Sequence, residues 1–101
     1  VPEMTFTVRW PDGREVHHYS PSLVVHDHLD QGASYCVHEF RSRSATALGI
    51  ASDRVRARFG FACTSAAASL EQIDALAASY PPDAEVRVLR LHPPLPQETS
   101  A

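Results

Sequence analysis

The chain has 101 residues, of which 44% are apolar and 21% charged, a composition that supports one compact domain and excludes a disordered chain. Its formal charge of -3 removes the large positive field that nonspecific nucleic-acid binding requires. The start Val1-Pro2-Glu3-Met4 carries no secretory signal, and no run of about 18 apolar residues marks a membrane span.

Val1 reads as an initiator codon translated literally, so the chain is expected to be unprocessed and cytoplasmic. Cys36 and Cys63 form no disulfide framework and are expected to stay reduced there. All nine basic residues are arginine, a bias that reads first as genomic base composition and second as selection for planar, bidentate contacts.

Met4, Phe6, Val8 and Trp10 alternate with Thr5, Thr7 and Arg9, the period of a half-buried strand. Pro11-Asp12-Gly13-Arg14 is a turn, with Pro fixing φ and Gly free to adopt a positive φ, so Glu15–Tyr19 should return as the second strand of a hairpin. Ser20-Pro21 reads as an N-cap and first helical residue, predicting a short helix to about Leu29 that ends before Gly32. Its rival is a strand through Leu23-Val24-Val25.

Phe40, Ala47, Leu48, Ala51, Val55 and Phe59 recur at helical spacing and predict a long helix from about Val37 to Phe59. Arg54, Arg56 and Arg58 suit its negative end, Gly60 supplies a left-handed cap and Phe61 an apolar contact beyond it. A further helix is expected from Thr64 or Ser65 through Tyr80, stopped by Pro81-Pro82. Glu85–Leu91 is the last strand, with Val86 and Val88 on one face.

The order β-β-α-α-α-β gives an α+β fold: an antiparallel sheet of about three strands, strand one central, covered on one face by two main helices and one short helix. Residues 1–92 form this single domain, and 93–101, with Pro93-Pro94-Leu95-Pro96, form a flexible proline-rich tail. A sheet this small has exposed edges, which suit pairing in a homodimer.

Chemistry is sparsely signalled. Cys63 falls at the expected start of a helix, where free N–H groups and the helix dipole lower a thiol's pKa, and Thr64 and Ser65 beside it leave room for a small ligand. Burial for packing is the ordinary role of such a cysteine. His26, His28, Cys36 and His38 include enough donor types for zinc, but their spacing matches no compact zinc module. In a helix, His26 and His28 would point about 200° apart. Arg54 and Arg58 share a helix face and could clamp a carboxylate or phosphate, although helix ends attract arginine for local reasons alone. Neither a phosphate-binding glycine loop nor a Gly-x-Ser-x-Gly elbow occurs, and no cofactor is implied.

Four stretches together resemble a known family: Arg9-Trp10-Pro11-Asp12-Gly13, Tyr19-Ser20-Pro21-Ser22, Ala51-Ser52-Asp53-Arg54-Val55-Arg56 and Phe59-Gly60-Phe61-Ala62-Cys63-Thr64-Ser65-Ala66. They are similar to bacterial nitrogen starvation response proteins of roughly 100 residues, first catalogued in mycobacteria and encoded in nitrilase-containing gene clusters. The resemblance implies work beside enzymes of nitrogen or nitrile metabolism and carries no catalytic residues. His28 and Cys36 stand where the family pattern has Tyr and often Pro, which argues against a family-wide metal site there. The expected function is therefore a noncatalytic accessory or regulatory protein acting on a partner enzyme or itself. A thiol-dependent enzyme using Cys63, or a small-ligand or metal sensor, is the alternative.

Overall fold

The computed structural model describes residues 3–60 and 64–92. Strands β1 (Met4–Arg9) and β2 (Glu15–Ser20) form the expected hairpin. The Gly13 N–H donates to the Trp10 carbonyl at 2.8 Å, and Gly13 takes a φ of 92°. The Asp12 carboxylate accepts the Arg14 N–H at 2.9 Å, closing the turn from its own side chain. That bond is the main reason the Asp12 carboxyl lies below its ordinary pKa.

The next segment differs in detail from the expectation. It is a 3-10 helix over Leu23–Asp27, not an α-helix from Ser20, and the rival strand does not form. Ser22 is the N-cap, its hydroxyl accepting the Val24 N–H at 3.3 Å. Ser20 is held in a local turn instead, where its hydroxyl donates to the Ser22 carbonyl at 2.8 Å. Leu29 and Val25 are both buried, as their shared face predicts.

A fourth strand, β3 (Ser34–Cys36), corrects the expected count of three. The sheet order is β2-β1-β4-β3, antiparallel throughout, with β4 (Glu85–His92) beside β1 in the interior. Only three residues long, β3 exists because β4 supplies its partners, and Gly32 and Ala33 extend the pairing at Val88.

Helix α1 spans Val37–Phe59 and ends at Gly60, whose φ of 80° confirms the left-handed cap. Its first N–H groups are satisfied from outside: Val37 donates to the Ala84 carbonyl and His38 to the Pro82 carbonyl. Helix α2 runs over Thr64–Ala77, ending a turn before Tyr80. Phe61 and the tail after His92 lie outside the described residues.

The core lies between the helices and one sheet face. Met4, Phe6 and Val8 from β1, Trp10 just after it, and Val86, Val88 and Leu91 from β4 meet Phe40, Ala47, Leu48 and Ala51 of α1 and Ile73 of α2. Full burial of each large apolar side chain favours folding by about 1.5–3 kcal/mol. Trp10 is the hub, edge-on to Phe40 at 5.3 Å and stacked on Tyr80 at 5.8 Å between ring centroids.

Candidate functional site

Among the described residues, those singled out from sequence form no single cluster. Cys63 lies outside the described residues, while Thr64 and Ser65 are exposed at the start of α2. Arg54 reaches back to the 3-10 helix, donating to the Ser22 hydroxyl at 3.1 Å, and Arg58 is exposed one turn further along α1. Cys36 is the N-cap of α1, its sulfur accepting the Glu39 N–H at 3.3 Å. His26 and His28 are half-buried near the 3-10 helix, and His38 is exposed on α1. Among the described residues, no group of three or more His, Cys, Asp or Glu side chains is placed to hold a metal ion.

One histidine is built into the core. His18 is completely buried between Phe6, Trp10 and Phe40. The Trp10 indole can only donate, and it meets His18 Nε2 at 3.3 Å, so the proton belongs on Nδ1, which donates to Gln72 Oε1 at 2.9 Å. Burial drives the pKa down to about 4, against the opposing pull of the Gln72 bond. His18 is thus neutral at pH 7 with both nitrogens engaged, an arrangement that ties β2 to α2.

A cleft of about 410 Å3 opens between the start of α1 and the end of α2, lined in part by His38, Arg41, Asp74 and Tyr80. Its cation is already committed. Arg41 Nε donates to Asp74 Oδ1 at 2.7 Å, fastening one helix to the other.

The opposite face of the sheet is different. Directly paired residues share a face, so the register orders this surface into rows. Tyr19, Thr5 and His92 form one row, and His17, Thr7 and Arg90 the next. Glu15, Arg9, Arg87 and Ser34 form a third, with Cys36 and Glu85 beyond. Both carboxylates are engaged locally: Arg9 pairs with Glu15 at 3.1 Å, and Ser34 donates to Glu85 at 2.9 Å. Among the described residues, neither Arg87 nor Arg90 has an ion-pair partner.

A bulge creates this pair. Val8 lies opposite Val88 and Thr7 opposite Arg90, which leaves Leu89 as an extra residue. Strict alternation would send Arg87 and Arg90 to opposite faces. The extra residue resets the phase, so Val88 and Leu91 both enter the core while both arginines face outward.

Residues 5–91 match the family model for the nitrogen starvation-induced protein NitG. The chain belongs to the NitG family. The matched span takes in both helices, all but the ends of the outer strands' partners β1 and β4, and every residue of the arginine rows. No curated protein and no solved structure matches the chain. Among the described residues, no helix is long and apolar enough to cross a membrane.

Proposed function

We propose that this NitG-family chain is a noncatalytic accessory or regulatory protein of nitrogen or nitrile metabolism, working in the cytoplasm through protein–protein interaction. The observation that carries this reading is the sheet face that no helix covers among the described residues, with its rows of outward polar and charged side chains. The helices pack on the other face, where His18 is spent on the fold and Arg41 on Asp74. A broad, polar surface suits docking against another protein better than enclosing a small substrate.

Enzymes encoded in the nitrilase-containing gene clusters of the family are the partners this reading favours. Pairing through the β2 edge in a homodimer is its counterpart for a second copy. Co-purification of the tagged chain with neighbouring gene products, alongside light scattering of the purified chain, tests the reading. A stable complex with one of those products supports it. A strictly monomeric chain that captures none of them contradicts it.

A further inference from the structure

We propose that the open sheet face is a docking site for an acidic protein segment, whose carboxylates are taken by Arg87 and Arg90 with Arg9 beside them. This rests on the reading of the chain as a protein-binding module and adds the chemistry of the partner.

Charge placement is the first support. Arg9 stands directly opposite Arg87 in the β1–β4 ladder, and like charges at opposed positions repel. Arg9 is partly neutralised by Glu15, whereas among the described residues Arg87 and Arg90 have no carboxylate of their own. Both are exposed, and the Leu89 bulge brings them to one face. A carboxylate arriving from outside relieves the repulsion and accepts paired N–H donors from a guanidinium.

Spacing is the second support. Thr7 and Arg9 mark neighbouring rows two residues apart on β1, roughly 7 Å along the strand. Alternate side chains of an extended peptide repeat at about the same interval, so two carboxylates on one side of such a peptide match the Arg90 and Arg87 rows. Beside Arg9 and Arg87, the surface dips into a cleft of about 250 Å3 that Trp10, Pro11, Gly13 and Glu85 complete. That is below the roughly 300–1,000 Å3 of small-molecule sites and accommodates a side chain of a docked segment.

Nucleic acid fits less well. Glu15 and Glu85 flank the arginines on the same face, the chain carries a net charge of -3, and the Tyr19 hydroxyl is tied to Glu3 at 3.1 Å. Single-strand binding favours a positive groove with aromatic rings free for stacking.

Titration of the isotopically labelled full chain with hexaglutamate at low salt, followed by amide NMR, tests the proposal. Expected are shifts centred on β1 and β4, an affinity that falls as salt screens the charges, and at least a tenfold weaker Kd for Arg87→Gln/Arg90→Gln. The amide spectrum of that variant reports whether its fold is kept. Shifts centred on Arg54–Arg58, an unchanged Kd in the variant, or tighter binding of a hexanucleotide than of hexaglutamate would each overturn it. Capture of a partner enzyme without any hexaglutamate binding defeats this inference and leaves the proposed function standing. Hexaglutamate binding with no captured partner upholds the carboxylate-binding face but overturns the proposed function, and with it the assignment of a protein segment as the occupant.

Discussion

Arg87 and Arg90 stand three residues apart on β4 yet face the same side of the sheet, because Leu89 between them has no partner on β1. The arrangement keeps Val88 and Leu91 buried on the other side. Among the described residues Arg87 and Arg90 have no ion-pair partner, and Glu15 and Glu85 on the same face are already engaged.

Repulsion between Arg9 and Arg87 should be measurable in the free chain. Arg87→Thr is expected to raise stability by about 0.2–1 kcal/mol at low salt, from relief of the opposed like charges and the better strand propensity of threonine. Urea unfolding at two ionic strengths checks this. The gain should shrink at high salt as screening removes the repulsion.

The buried His18 sets a pH limit. Its folded pKa, about 4, lies below the ordinary 6.5, so between these values the unfolded chain binds more protons than the folded one. Stability is complete above pH 6.5 and declines as pH falls toward 4, by up to about 1.4 kcal/mol per pH unit and on the order of 3 kcal/mol in total. Gln72→Glu would place a carboxylate on the Nδ1–H, raise the folded pKa and flatten the decline. Urea midpoints between pH 5 and 6.5 discriminate best, since carboxylates contribute little there.

Ser44 is fully buried on α1, and among the described residues its hydroxyl has no hydrogen-bond partner. Burying an unsatisfied hydroxyl costs about 1–3 kcal/mol, and alanine is the better helix former. Ser44→Ala should therefore be neutral or stabilising by about 1 kcal/mol in thermal or urea unfolding, where most core truncations destabilise.

Gly60 ends α1 at a φ of 80°, and among the described residues nothing lies within 4 Å of where a Cβ would project. Gly60→Ala should cost about 1 kcal/mol through backbone strain alone. Gly60→Asn should cost less, because asparagine tolerates the left-handed region better than alanine. Equal losses for the two variants would point to packing instead.

Long-period features were legible in the sequence. Helix α1 shows from Phe40 to Val55 in its apolar spacing and at Gly60 in its cap, and the β1–β2 hairpin in its alternation and Pro11-Asp12-Gly13 turn. Strand β3 was not, because three residues are too few to display a period and their pairing comes from distant β4. The arginine face was hidden for a related reason: the bulge at Leu89 depends on the register against Thr7 and Val8, which a single strand's sequence does not reveal. The Ser20-Pro21 signal pointed to a helix two residues early, because Ser20 closes a turn onto Ser22, which is the true cap. Cys63, the leading thiol candidate, falls outside the described residues.

The most direct test of the central claim compares capture of neighbouring gene products from nitrogen-starved cells by the tagged wild-type chain, by Arg87→Glu/Arg90→Glu and by Arg56→Glu on α1. Wild type and the helix variant should retain an identified partner enzyme equally, and the sheet-face variant should lose at least nine-tenths of it, roughly the tenfold change that about 1.4 kcal/mol produces. Equal capture by all three chains, or loss only in the helix variant, would contradict the claim.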